Sequence, residues 1–275
     1  MEIMEIIKEA IVFPSNDLAK LAIYIVLSVI IAFLTTIGVV LLGVGMASNA
    51  AWIVVGIILL ILGLIVGFII MGYQISIIKT GIDHAEAAPE FVWKANLITG
   101  IKYFVVNIVY FIIPAIIVLI VAWATNLFGT AYEVLSKMAM ASASPTNATV
   151  AASNVVPQSV TMGFLTSLMI TGAIAFVLFV IFEIIQTMAE SRLANTDDLK
   201  EALNIPEAFR DIGRIGFGKV IAVIILIVVV IAVINAVLNG LNDFINGISI
   251  LSIVVTPYLT FFAARATGLL YSDIA

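Results

Sequence analysis

Three polar side chains stand inside long apolar segments, where polar groups are rare. Glu183 is the acid within these segments, and Asn107 and Asn235 are amides near the middle of theirs. A carboxylate in hydrocarbon is costly, so such acids usually face an interior and carry ions or protons. These three residues are therefore candidates for lining an ion or polar path. The interpretation that the sequence favours is that Glu183 lies near enough to the membrane interface to reach water or Lys219, and that the amides hydrogen-bond between helices.

Residue types that usually carry catalysis or bind metals are scarce. The chain has no cysteine, which excludes disulfides and thiolate sites, and its single histidine, His84, excludes a multi-histidine metal site. The acidic group Asp197, Asp198 and Glu201 lacks further ligands and is typical of the first turn of a solvated helix. No nucleophile has a base placed beside it. We expect no catalytic residue, no metal, no cofactor and no enzymatic activity.

The amino-acid composition indicates whether this chain folds in water or in a membrane. Of its 275 residues, 63% are hydrophobic and 11% charged, with a mean hydropathy of +1.26. Soluble proteins are about 45–50% apolar and about 25% charged, so an ordinary water-soluble globule is excluded. Twelve basic residues against 17 acidic ones, without a basic face, exclude a nucleic-acid-binding protein. The lipid bilayer is the expected partner.

Six apolar runs are each long enough to cross a bilayer. A span needs about 20 apolar residues, because a helix rises about 1.5 Å per residue across a core of about 30 Å. The runs are continuous rather than alternating, and a backbone in lipid must satisfy its own hydrogen bonds, so helices are favoured over strands. The predicted fold is all-α, a polytopic membrane domain over residues 1–275. Its transmembrane helices are predicted at 21–47, 50–73, 101–124, 162–187, 219–239 and 244–270.

Basic residues predict the orientation of these spans. Lys137 alone falls on one side, and the other 11 of the 12 basic residues fall on the opposite side. Because basic loops stay in the cytoplasm, both termini are predicted to be cytoplasmic, and the protein to lie in the cell membrane. Trp52 and Trp123 fall at the outer ends of their spans, as interfacial aromatic residues do.

The segments between the spans have distinct compositions. Residues 1–13 and the two elbows around Pro89 and Pro206 have amphipathic spacing, which predicts interfacial helices. The outer segment 125–161 is rich in Ala, Ser and Thr and is predicted to be flexible, apart from a helix near its start. Asn147 begins an Asn-Ala-Thr tripeptide there, which is a candidate glycosylation site.

Glycine and proline positions indicate how the helices pack. Gly56, Gly63 and Gly67 fall on one face of the second span, a pattern that lets helices approach closely. Pro114 and Pro257 interrupt the third and sixth spans, where each frees a carbonyl and predicts a kink.

Several short motifs resemble those of a known family. They are Gly72-Tyr73, Ile77-Ile78-Lys79, Pro89-Glu90-Phe91, Gly100-Ile101-Lys102-Tyr103, Ile108-Val109-Tyr110 ending at Pro114, and the late Pro257-Tyr258 and Gly268-Leu269-Leu270-Tyr271. Together they resemble the uncharacterised, mainly archaeal family of polytopic membrane proteins called domain of unknown function 4013. The resemblance runs from about Pro14 onward and leaves out the outer segment. It implies a six-helix membrane protein and no activity, so it assigns no functional residue.

Two functions fit this sequence. A non-catalytic membrane scaffold, or the subunit of a complex, fits the absence of a soluble domain and the close-packing glycines, and its partner would be another membrane protein or a second copy. A small transporter or channel that uses Glu183 in a helix-lined path fits the six spans and the two proline-interrupted helices. The first is the expectation from the sequence, and the second is its alternative.

Overall fold

The structure, a computed structural model, describes residues 1–142, 156–242 and 247–275. Asn147, the candidate glycosylation site, lies outside them. Within these ranges the chain is helical, with a short 3-10 turn at Ile248–Leu251. The α-helices are α1 (Ile3–Asn16), α2 (Leu18–Ala47), α3 (Ala50–Ile82), α4 (Trp93–Ala124), α5 (Leu127–Ser142), α6 (Gln158–Thr196), α7 (Leu199–Ala202), α8 (Ile205–Ile215), α9 (Phe217–Asn242) and α10 (Ser252–Tyr271).

Six of these helices are long and apolar enough to cross a membrane, which confirms the predicted number of spans and indicates a multi-pass membrane protein. They are α2, α3, α4, α6, α9 and α10. Helices α3 and α6 each continue nine residues past the predicted ends at Tyr73 and Thr187, to Ile82 and Thr196. Ile77 and Leu193, in these extensions, are 0% exposed. Protein rather than lipid surrounds the extensions, so they need no further run of apolar residues.

The sixth span starts later than predicted. The sequence indicated a helix from residue 244, whereas α10 begins at Ser252 after the 3-10 turn. Gly247 has a φ of +89°, in the left-handed region that only glycine enters freely. A left-handed residue does not continue an α-helix, so the helix begins beyond it.

The connecting segments differ from expectation only in part. In the outer segment 125–161, α5 (Leu127–Ser142) is the helix predicted near its start, whereas α6 already begins at Gln158 rather than at residue 162. The first elbow is no separate helix, because α4 begins at Trp93 and runs unbroken to Ala124. The second elbow is α8, which ends at Gly216, a glycine with a φ of +106°.

The described residues form two compact units, and the single membrane domain stays a prediction. Unit 1 comprises residues 1–107 and 184–275, and unit 2 comprises residues 108–183. In unit 2, the Ser167 hydroxyl donates to the Thr125 carbonyl oxygen at 2.7 Å, and the Thr125 and Thr171 hydroxyls lie 2.9 Å apart. The Phe111 and Phe179 rings pack with centroids 5.5 Å apart. Hydroxyl and aromatic contacts thus join α4 and α6 within this unit.

Helix α10 lies at the centre of unit 1. Its most apolar stretch is 56% buried inside the protein, against 11–17% for the other five spans. It packs against α1, α2, α3 and α9. It also has the lowest mean hydropathy of the six, 1.4 against 2.7–3.5. A helix surrounded by other helices can carry polar residues that a lipid-facing helix cannot.

Glycines bring α3 into backbone contact with α4 and α10. A Cβ atom at Gly72 would lie 1.8 Å from the Asn96 carbonyl oxygen, and one at Gly100 would lie 1.7 Å from the Phe68 carbonyl oxygen. At Gly268 a Cβ atom would lie 2.0 Å from the Ile78 carbonyl oxygen. No other side chain fits at these positions without moving a helix.

The three glycines singled out in the sequence have different surroundings. A Cβ atom at Gly56 would lie 2.8 Å from the Gly38 carbonyl oxygen, and one at Gly63 would lie 3.2 Å from Thr35 Cγ2, so both face α2. A Cβ atom at Gly67 would meet nothing within 4 Å. Pro114 and Pro257 lie inside α4 and α10, which continue through them, and their kinks stay a prediction.

We expect Gly72→Ala to destabilise the protein by at least about 2 kcal/mol, because overpacking costs about 1–3 kcal/mol and a backbone oxygen cannot turn aside. Gly67→Ala is the matched control. It adds the same methyl group in open space and should be neutral or stabilising, since alanine favours a helix by about 0.5–1 kcal/mol. Equilibrium unfolding of the detergent-purified variants measures both. Equal stability of the two would contradict the close approach of α3 and α4.

Candidate functional site

A cavity inside unit 1 gathers polar residues from five helices. Its volume is about 300 Å³. We call it the first cavity. Its polar side chains are Gln74 from α3, Tyr103 from α4, Glu190 from α6, Asn235 from α9, and Thr256, Thr260 and Thr267 from α10. Glu190 is the one acid among the lining residues, and the lining contains no Lys, Arg or His. The cavity is therefore polar and carries a single negative charge when Glu190 is ionised.

The Glu190 carboxylate is held in place by neighbouring side chains. Its Oε1 accepts hydrogen bonds from the Tyr103 hydroxyl at 3.2 Å and from Gln186 Nε2 at 3.0 Å. Gln186 Nε2 also donates to Asn107 Oδ1 at 2.6 Å, and Asn107 Nδ2 donates to the Tyr103 carbonyl oxygen at 2.9 Å. The network thus fixes the orientation of the acid.

One face of α10 forms a wall of the first cavity. Thr256, Thr260, Ala264 and Thr267 lie at intervals of four, four and three residues, so they share a helix face. Thr267 follows Thr256 by 11 positions, which cover about 16 Å along the axis at about 1.5 Å per residue. Small side chains leave space along this face, and their hydroxyl groups line it. The cavity is therefore an elongated space that follows α10.

The residues predicted from the sequence are only partly brought together. Asn235 lines the first cavity, and Asn107 reaches Glu190 through Gln186. Glu183 does not line the cavity: it lies in unit 2 and is exposed. The acid at this site is Glu190, seven residues farther along α6. The predicted span ended at Thr187, so Glu190 was assigned to a loop. Its spacing of four residues from Gln186 was the available signal, because such pairs meet on one helix face.

Charged residues outside the cavity are paired with one another in unit 1. Arg192, two residues after Glu190, forms an ion pair with Asp211 at 2.8 Å and another with Glu201. Asp211 is 1% exposed and also accepts from the Tyr271 hydroxyl at 3.1 Å. These contacts join α6 to α8 and α10. Arg192 is thus paired with Asp211 and Glu201, which lie outside the first cavity.

Arg265 is a second buried cation of this unit. It is 2% exposed, donates to the carbonyl oxygens of Thr80 at 2.6 Å and Ala85 at 2.7 Å, and forms an ion pair with Glu9. Its guanidinium lies 4.6 Å from the centre of the Phe13 ring. These contacts attach α1 to α10. In the part of the chain that the structure describes, no group of three acids or histidines is arranged to hold a metal ion.

Residues of the recognised motifs hold the connection between α3 and α4. The Tyr73 ring stacks on Phe91 with centroids 3.7 Å apart, and its hydroxyl donates to the Pro89 carbonyl oxygen at 2.9 Å. Lys102 Nζ forms an ion pair with Asp197 at 2.8 Å, which joins the start of α4 to the end of α6. The motifs therefore fix the helices that carry Gln74, Tyr103 and Glu190.

Comparison with known proteins gives one positive finding. The sequence model of a family described as "Protein of unknown function (DUF4013)" matches residues 55–242, which is 188 of the 275 residues. The match contains the cavity residues of α3, α4, α6 and α9. No curated protein and no solved structure gives a significant match. Because the family model covers more than half of the chain, this protein belongs to the DUF4013 family, in agreement with the resemblance of its motifs.

Proposed function

We propose that this protein binds a small solute with a single positive charge in the first cavity and moves it across the cell membrane as a transporter or channel. The observation that carries the proposal is the position of Glu190. It is the acid of a cavity lined by amides and hydroxyls from candidate membrane-spanning helices. Ionisable groups in such positions usually mark ion or substrate pathways.

The charge and size of the cavity support a small cation. A carboxylate with amide and hydroxyl oxygens around it replaces the water that a cation loses on entry, as acidic side chains do in cation channels. An anion would meet an acid and no basic residue in the lining. At about 300 Å³, the cavity is at the low end for small-molecule sites, which run from about 300 to about 1,000 Å³. An alkali ion or a small alkylammonium ion suits both constraints.

The same cavity favours transport over a scaffold role. A scaffold needs surfaces for partners, and an internal polar space only lowers its stability. With both termini cytoplasmic, as the basic residues predict, the end of the cavity at Glu190 and Thr267 lies toward the cytoplasm. A solute would then meet the charge at the cytoplasmic end and the neutral hydroxyls beyond it.

We expect Glu190→Gln to weaken binding of methylammonium or K⁺ about 10- to 100-fold. A hydrogen bond to a charged group contributes about 1.5–3 kcal/mol, and each 1.4 kcal/mol is about tenfold in affinity. Glu183→Gln is the matched control. It removes a carboxylate from the same helix but outside the first cavity, and it should leave binding unchanged. Isothermal titration of the purified proteins measures the affinities, and uptake into liposomes measures transport. Loss of binding in Glu183→Gln with Glu190→Gln unaffected would overturn the proposal.

We expect Ala263→Leu to abolish uptake without removing any charge. Ala263 lines the first cavity, and an isobutyl group there would occupy space that a solute needs. Ala173→Leu on α6 of unit 2, where the side chain is exposed, is the size-matched control. Liposome uptake of methylammonium distinguishes the two variants. Normal uptake by a folded Ala263→Leu protein would show that the solute does not pass through this cavity.

A further inference from the structure

A second cavity lies on the other side of a group of polar side chains. Its volume is about 470 Å³, and it is bounded by α2, α3 and α10. Serine and threonine hydroxyls line it, and no charged side chain does. Ser252 and Thr256, at the start of α10, are exposed, so this cavity reaches the surface of unit 1 there. We call it the second cavity.

The two cavities share one wall. Gln74, Thr256 and Thr260 line both of them. Gln74 Nε2 donates to the Tyr24 hydroxyl at 2.7 Å. This hydrogen-bonded pair of uncharged side chains, together with Thr260, therefore stands between the first and second cavities. We call this group the partition.

The members of the partition differ in mobility. Tyr24 is 3% exposed, and its ring packs edge-on against Phe261 with centroids 5.2 Å apart, so it is fixed in place. Gln74 is unbranched with several rotatable bonds, and it bounds open space on both sides. A change of its rotamer breaks the bond to Tyr24 without moving a helix. Gln74 is therefore the part of the partition that can open.

The length of the combined cavities fits a membrane path. Ser252 and Thr267 mark their ends along α10, and Thr267 follows Ser252 by 15 positions, which cover about 22 Å at about 1.5 Å per residue. The hydrocarbon core of a bilayer is about 30 Å thick. The two cavities together therefore cover most of the distance that a solute must cross.

We propose that Gln74 is the gate between two compartments of one solute path, with Tyr24 as its latch. This inference rests on the cation-binding function proposed for the first cavity. The first compartment binds the cation through Glu190, and the second compartment, which has hydroxyls and no charge, releases it. Conduction requires binding that is strong enough for entry and weak enough for exit, and two unequal sites meet both needs.

Cysteine accessibility tests the gate directly, because the native chain has no cysteine. Ser28→Cys reports on the second cavity and Thr267→Cys on the first. The probe is 2-aminoethyl methanethiosulfonate, a small cation, added to one face of liposomes that hold the protein in one orientation. With Gln74 present, each cysteine should react from one face only. With Gln74→Ala, each should react from both faces, and methylammonium uptake should rise.

Tyr24→Phe is the second variant, and it keeps the volume of the ring. It should raise uptake about fivefold, the effect expected when one hydrogen bond of ordinary net strength is lost from the closed state. Gln158→Ala and Tyr132→Phe, at exposed positions in unit 2, are the matched controls and should change neither accessibility nor uptake. Size-exclusion chromatography and melting temperature establish that each variant is folded. Tyr24→Phe keeps the test decisive if Gln74→Ala does not fold.

The outcomes separate the two proposals. If Glu190→Gln loses methylammonium binding but Gln74→Ala and Tyr24→Phe leave accessibility and uptake unchanged, the gate is overturned and the cation site stands. If both partition variants only lower the melting temperature, the Tyr24–Gln74 bond is a structural link between α2 and α3, and the gate is overturned as well. If Glu190→Gln binds methylammonium like the native protein, the proposed function fails, and the gate fails with it.

Discussion

Backbone contact between α3 and its neighbours α4 and α10 is the interaction on which the rest of unit 1 depends. In lipid, helices gain little from burying apolar surface, so close packing between small residues holds them together. The contact points lie beside the cavity residues in the sequence. Gln74 follows Gly72 by two residues, Tyr103 follows Gly100 by three, and Thr267 precedes Gly268. The contacts that hold the helices together therefore also fix the polar side chains around the first cavity.

Glu190 and Arg192, two positions apart on α6, have different roles in unit 1. Successive helical residues turn by about 100°, so residues 190 and 192 point about 200° apart. Glu190 lines the cavity, while Arg192 meets Asp211 and Glu201 away from it. A buried cation left without its acid would cost several kcal/mol. Pairing with Asp211 and Glu201 places Arg192 outside the first cavity, whose lining has one acid and no basic residue.

The sequence predicted the spans well and the acid of the site poorly, for one physical reason. A hydropathy criterion detects residues that face lipid, and it ends a helix where apolar residues run out. That criterion located six spans, yet it ended the fourth span at Thr187 because Glu190 and Arg192 follow, although protein surrounds α6 there.

Asn107 and Asn235 were found because they interrupt lipid-like stretches. The start of α10 depended on the left-handed Gly247, and composition does not reveal backbone conformation. The sequence also does not show which helix a glycine faces. Gly63 and Gly67 therefore looked alike in sequence, although only Gly63 faces another helix closely.

The low hydropathy of α10 is the strongest argument that the cavities have a purpose. Its hydroxyl-bearing face borders the two cavities, and cavities lower stability. Leucine at Thr256, Thr260 and Ala264 would fill that space with favourable contacts, so stability alone does not explain these residues. A polar face that follows α10 past one acid and one hydrogen-bonded partition has the form of a path, and a central helix that served only to support the other spans would need none of these features.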